Sequence, residues 1–316
     1  MLYVLLGITL ACGTARTAFS KKVGAASKAP RDLFFYNAVI CAVICAATFA
    51  AYLLRPTGIS PFTALLALAY AGVTLAAQLF NIKALKDGAI GVCTLFYSCG
   101  FVIAAFAGIL FWGEPFFWSQ MVGVLLILGS FFLIVFLSKT AKTPPGETSA
   151  APDAPDAPKR RLWILFAFLS LLSSGFLGVL QKIHQTSGYK EELFPFLFIS
   201  FAAALAAAVA LRFIAPRGED AADDTGAADG KRTPFYRSGT MFALLYGAVF
   251  AAVNILNTYL SGQLPSMIFF PVYNGGVIFT GLFVGLLIFR ESVTKYDIIG
   301  LLVGVAGILF IALKPF

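Results

Sequence analysis

Apolar runs of about 20 residues recur along this chain, and a helix of that length crosses a hydrocarbon core about 30 Å thick. Nothing else limits the fold so strongly, because in lipid the backbone must satisfy its polar groups within helices or a closed barrel. The chain is 59% hydrophobic and only 12% charged, with a mean hydropathy of +0.88. A soluble domain carries roughly 25% charged residues. The apolar–polar alternation of a transmembrane barrel, about ten residues per strand, is absent. The fold class expected is an all-α membrane protein.

Ten spans are legible, at 2–20, 33–54, 62–82, 88–112, 117–138, 162–182, 193–214, 239–260, 266–289 and 296–314. The first, MLYVLLGITLACG, lacks the basic n-region of a signal peptide. Thr9 also stands where a lipoprotein motif before Cys12 needs a large aliphatic residue, so this stretch reads as a helix. Residues 139–161 contain TPPGETSAAPDAPDAPKRR, whose Pro, Ala and Asp cannot pack a core and read as a disordered linker. Residues 215–237, with GEDAADDTGAADGKR, read as a flexible loop. The chain thus divides into a first five-helix half at 1–138 and a second at 162–316.

The two halves repeat one another. Residues 69–87, AYAGVTLAAQLFNIKALKD, align with 245–263, LYGAVFAAVNILNTYLSGQ, so that Tyr70 falls on Tyr246, Gln78 on Asn254 and Asn81 on Asn257. Tyr97 and Gly100 fall on Tyr273 and Gly276, Lys22 on Lys182, and Glu114 and Gly123 on Glu291 and Gly300. With an odd number of spans in each half, the second half enters the membrane from the opposite side, as two inverted five-helix repeats.

Loop charges orient the chain. Of 23 lysines and arginines, 18 fall in the loops after spans one, three, five, seven and nine. Arg55, Lys182, Lys190 and Lys314 fall on the opposite side, and Arg16 lies within span one. Lys and Arg in short loops mark the cytoplasm. The expectation is a multi-pass protein of the plasma (cell inner) membrane with both termini external. The net charge of +8 is then a topology signal, with no nucleic-acid partner implied. The partners expected are the bilayer and a small solute. Small-residue faces at Gly100, Ala104 and Gly108, at Gly281 and Gly285, and at Gly300 and Gly304 pack helices closely and offer a surface for a homodimer.

Polar residues at helical spacing inside apolar runs are the candidate site. Tyr246, Phe250, Asn254 and Asn257 share one helical face, and so do Tyr70, Thr74, Gln78 and Asn81. Gln78, Asn81, Asn254 and Asn257 either bond a polar solute or hold helices together. Tyr97 and Tyr273 open Tyr-Ser-Cys-Gly and Tyr-Asn-Gly-Gly. With Pro271 just before the second, these suggest a broken helix with Tyr273 and Asn274 beside it, or a packing kink. Arg16 either faces a solute or snorkels towards the headgroups near Lys21. Its repeat partner Phe176 suggests a site with one cationic and one aromatic wall.

His184, the only histidine, reads mainly as a surface residue at an outer membrane edge, with a proton relay as the alternative. Glu114 and Glu291, at the turns before spans five and ten, read as helix caps rather than proton carriers. The five cysteines lie in apolar runs without metal-ligand spacing, so no metal, cofactor or catalytic residue is expected.

A Glu-x8-Gly turn opens both span five, in FWGEPFFWSQMVGVLLILG, and span ten, in FRESVTKYDIIGLLVGVAG. These stretches, with two five-helix halves, resemble the drug/metabolite transporter superfamily, EamA type. The resemblance implies a transporter rather than an enzyme, with a central cavity lined by spans one, three, four, six, eight and nine. The superfamily moves amino acids, amines, sugars, nucleotide sugars and drugs, and its members of this type usually keep both termini in the cytoplasm. The function expected is alternating-access movement of a small polar or amphipathic metabolite, such as an amino or organic acid. The alternative is a lipid-linked-sugar translocase or an accessory subunit of one.

Overall fold

The computed structural model describes residues 1–26, 30–87, 96–133, 157–214, 234–287 and 295–312. Among these the regular elements are all helical. They are α1 (Leu2–Ala26), α2 (Pro30–Leu54), α3 (Pro61–Asp87), α4 (Phe101–Trp112), α5 (Trp118–Phe132), α6 (Ala157–Thr186), α7 (Leu193–Ile214), α8 (Pro234–Gln263), α9 (Ser266–Leu287) and α10 (Lys295–Ala312), with a 3-10 turn at Lys190–Glu192 before α7. Five of the described helices are long and apolar enough to cross a membrane, and five more are apolar but shorter. Helices α6 and α8 begin at Ala157 and Pro234, inside the stretches read as linker and loop. Residues 134–156 and 215–233 lie outside the described residues, as do Glu291 and Cys93.

Local chemistry sets the helix ends. Helix α2 opens on Pro30 with Asp32 in its first turn, a residue without a donor followed by a charge that favours the dipole. Helix α3 opens after Ser60, whose Oγ accepts the Thr63 N–H at 3.1 Å. Helix α4 ends at Gly113, left-handed at φ 60°, where glycine carries no Cβ penalty. The next residue, Glu114, bonds back to the Gly108 carbonyl at 3.2 Å. At α5 the Gln120 side chain accepts the Phe117 N–H at 3.2 Å, so Gln120 rather than Glu114 caps that helix.

The chain forms two compact units. The first comprises Met1, Tyr3–Gly72 and His184–Tyr259; the second comprises Leu2, Val73–Ile183 and Leu260–Phe316. Each unit therefore draws on both sequence halves.

In the first unit α2 packs along α7. Phe49 meets Phe198 with ring centroids 5.0 Å apart, and the Arg212 guanidinium lies 4.6 Å over the Phe35 ring. Moving up α2 is thus moving down α7, and the helices run antiparallel. Tyr36, Ile40 and Ile44 form one buried stripe, and Leu197, Phe201, Ala204 and Ala208 form its counterpart.

In the second unit α5 packs along α10, and α4 along α9. Gly123 stands against Ile311 and the Gly307 carbonyl, while Gly307 faces Ile127, so α5 and α10 also run antiparallel with their backbones touching. Without a hydrophobic drive between helices in lipid, this close approach supplies the attraction. The small-residue faces are used the same way: Gly100 lies against Gly175, Gly108 against Ser266 and Gly304 against the Phe279 ring, all inside this unit. Each of the three pairings joins helices at the same position in the two halves.

Candidate functional site

In the first unit a polar and aromatic cluster forms around Tyr70 of α3 and the stripe of α8. The Tyr70 hydroxyl donates to Asn254 Oδ1 at 3.2 Å, and Asn254 Nδ2 donates to the Phe250 carbonyl one turn back at 2.9 Å. Asn254 is 3% exposed, and both ends of its amide are occupied within the protein. Asn257, one turn on, keeps a buried Oδ1 that no described group satisfies. Such an acceptor costs about 1–3 kcal/mol unless water or a ligand meets it.

Rings complete this cluster. Tyr70 sits edge-on to Phe201 at 6.4 Å, Phe201 to Phe250 at 6.2 Å, and Phe250 to Tyr246 at 5.5 Å. Arg16 of α1, half-buried, holds its guanidinium 5.0 Å over the Phe250 ring. A guanidinium over a ring face gains about 0.5–2 kcal/mol depending on desolvation. Phe250 is thus an aromatic partner of Arg16 within this unit; its repeat partner Phe176 belongs to the second unit and is exposed.

The other sequence candidates belong to the second unit. Asn81 Oδ1 and the Tyr273 hydroxyl are buried without a described partner, and the Tyr273 ring stacks on Phe269 at 6.1 Å. Asn274 turns back on its own helix, donating to the Phe270 carbonyl at 2.9 Å. Helix α9 runs unbroken through Pro271, which corrects the expected break there. In the first copy the Tyr97 carbonyl accepts the Ser174 hydroxyl at 2.6 Å, and Gly100 keeps helical dihedrals. Gln78 is half-buried on α3. The polar stripe of α3 is therefore divided, with Tyr70 in one unit and Thr74, Gln78 and Asn81 in the other.

Three groups were assigned differently by sequence. Lys182 is not a loop charge: it is 4% exposed and forms an ion pair with Glu114 in the second unit, with a further bond to the Leu264 carbonyl at 3.2 Å. Glu114 Oε2 accepts the Ser266 N–H at 2.6 Å, so this carboxylate caps α9 rather than α5. His184, read mainly as a surface residue, is fully buried. Its ring stacks on Phe196 at 4.4 Å in the first unit. Phe250 is marked by its place on the α8 stripe, but no sequence signal separates Phe196 and Phe201 from the rest of the 33 phenylalanines.

Residues 1–136 match the EamA-like transporter family. This match supports membership of the drug/metabolite transporter superfamily and, with the apolar helices, a multi-pass membrane protein of the transporter type. The Glu-x8-Gly turn of span five lies inside the matched residues, and that of span ten lies beyond them. A solved crystal structure, titled only as that of a protein, matches over 98% of this chain and 95% of its own, with a TM-score of 0.68 at 13% identity. That likeness concerns the fold alone. Among curated proteins none matches this sequence.

Proposed function

We propose that this protein carries a small amphipathic metabolite bearing a carboxylate, such as an amino or organic acid, by alternating access between the two sides of the plasma membrane. The observation that carries the reading is the cluster of the first unit. It combines a fixed cation over an aromatic ring, Arg16 on Phe250, with a buried amide acceptor left open on Asn257. A guanidinium pairs a carboxylate through two parallel bonds, the rings receive an apolar side chain, and the Asn257 Oδ1 accepts an ammonium or hydroxyl donor. Tyr70 and Asn254 hold the helices that present these groups. Gln78, Asn81, Tyr97, Tyr273 and Asn274 are separate solute-binding candidates within the second unit.

Alternating access needs two structurally equivalent arrangements of one chain. The antiparallel packing of same-position helices, α2 on α7 and α5 on α10, supports inverted repeats, because antiparallel partners cross a bilayer in opposite directions. Both termini are proposed to be external. Removing Lys182 from the outer loop charges strengthens the bias on which that rests. A cysteine introduced at the exposed Gln263 should then react with an impermeant thiol reagent on intact cells. Ser261, an apparent loop position in sequence, is buried and unsuited to this test.

The functional test is thermal-shift screening of the purified protein against amino acids, organic acids, amines and sugars, since a ligand of the folded state raises its Tm. Carboxylate-bearing amphipaths should raise Tm in wild type and much less in Arg16→Lys, which keeps the charge but loses the planar fork. Stabilisation by amines alone, or equal shifts in both proteins, would remove Arg16 from the site.

A further inference from the structure

His184 is a fully buried titratable group with one ring nitrogen unused. Its Nδ1 lies 3.1 Å from the Gln185 amide nitrogen, and the same nitrogen lies 3.4 Å from the Lys190 carbonyl. A carbonyl only accepts, which fixes the amide with its nitrogen on this side. Gln185 therefore donates to Nδ1, and the neutral imidazole carries its proton on Nε2. That Nε2 is buried without a described acceptor.

The surroundings connect this ring to helix α3. The charged group acting on His184 is Glu192, from the 3-10 turn that Lys190 opens. α7 presents Phe196 to the ring, and Tyr70 of α3 lies edge-on to Phe196 at 5.4 Å. On its own helix the nearest charge is Lys182, which is paired with Glu114. Glu192 is at present engaged elsewhere: its Oε2 accepts the Ser60 N–H at 2.9 Å and the Ser60 hydroxyl at 2.8 Å, clasping the start of α3.

We propose that His184 binds a proton during the transport cycle, and that its protonation frees α3 by turning Gln185 and drawing Glu192 from Ser60. The inference rests on the transporter reading above. A proton entering from bulk water adds an N–H at Nδ1, where the Gln185 amide nitrogen also presents hydrogen. The amide must then turn to offer its oxygen, which releases the Lys190 carbonyl and loosens the turn that carries Glu192. The freed carboxylate pairs with the imidazolium, α3 loses its clasp, and Tyr70 moves with it. Release of the proton on the other side restores the neutral ring. One proton moves per cycle, and solute movement is coupled to it.

Two measurements test this. Protein in liposomes is given a mixture of the twenty amino acids with succinate and citrate, uptake is read by mass spectrometry and internal pH by a trapped dye. Uptake accompanied by acidification is expected. In His184→Gln, accumulation driven by an acid exterior should fall at least tenfold, while counterflow, which needs no net proton movement, continues. Uptake without acidification, or undiminished accumulation in His184→Gln, overturns the coupling and leaves the transporter reading standing. No uptake of any component overturns the transporter reading, and this inference with it.

The second measurement needs no solute. With one histidine in the chain, 15N-histidine labelling of purified protein gives a single pair of ring signals. The Nε2–H tautomer is expected at pH 8 and the imidazolium on acidification, at a lower pH in Glu192→Gln because the carboxylate partner is gone. An Nδ1–H tautomer at pH 8, or a transition that Glu192→Gln leaves in place, overturns the proposal independently of transport.

Discussion

Two carboxylates do the same local work in the two units and differ in what neutralises them. Glu114 in the second unit clasps the start of α9 at Ser266, and Glu192 in the first clasps the start of α3 at Ser60. Each holds a helix of the opposite sequence half. Beside Glu114 sits Lys182, a buried lysine that pairs with it. Beside Glu192 sits a neutral histidine, whose charge is a matter of pH and exposure. The same clasp is thus built once as a fixed fastening and once next to a titratable group.

The largest expected effect breaks the fixed clasp. Glu114→Ala leaves Lys182 buried and unpaired, and should cost about 3–5 kcal/mol. Poor expression and a steep fall in Tm are the readouts, with recovery in the double variant Glu114→Leu, Lys182→Met. Glu192→Ala removes a capping acceptor with no buried cation behind it, and should cost about 1 kcal/mol. Equal falls in Tm would erase the distinction between the clasps.

Packing sharpens the contrast next. A Cβ at Gly100 would meet the Ser174 hydroxyl and also lie 2.7 Å from the Leu171 carbonyl and 2.8 Å from the Gly175 nitrogen, and these last two are backbone that cannot swing aside. Gly100→Ala should lower stability by about 1–3 kcal/mol as an overpacked contact. Gly72 has no neighbour within 4 Å of such an atom, and Gly72→Ala should gain up to about 1 kcal/mol from helix propensity. Destabilisation of equal size at both positions, read as Tm, would contradict this packing.

The smallest stability effect separates two neighbouring amides. Asn254→Ala loses the bond to Tyr70, worth about 0.6 kcal/mol between helices in a membrane. Asn257→Ala removes an acceptor that has no partner among the described residues and should leave Tm at or slightly above the wild-type value. Ligand-induced Tm shifts should behave oppositely, lost in Asn257→Ala and largely kept in Asn254→Ala. If Asn254→Ala alone abolishes the ligand shift, the solute-binding amide has been assigned to the wrong residue.

Much of the fold was legible because hydropathy and spacing are local. The positions of α2, α3, α7 and α9 follow the apolar runs within a few residues, and the repeat places Tyr70 opposite Tyr246 by pattern alone. Periodicity says which residues share a face; it does not say which helix that face meets. Asn254 and Asn257 therefore look alike in sequence, and only the neighbouring Tyr70 distinguishes them. Glu114 misled for a related reason. A carboxylate at a turn before a helix looks like a local cap, yet the left-handed Gly113 and the local cap from Gln120 leave it for α9. Lys182 and His184 sit near the end of an apolar run, where charge and polarity normally indicate water. Their burial follows from contacts made by distant parts of the chain.

The proposed function has the Arg16–Phe250–Asn257 cluster carry a carboxylate-bearing amphipath across a membrane. Its most direct test is uptake of radiolabelled amino and organic acids by protein in sealed liposomes, with empty liposomes and Asn257→Ala as controls. Saturable uptake of at least one such acid is predicted, competed by other carboxylates and reduced at least tenfold by Asn257→Ala. Saturable uptake only of amines or neutral sugars would contradict the claim, as would scrambling of a labelled lipid with no solute flux.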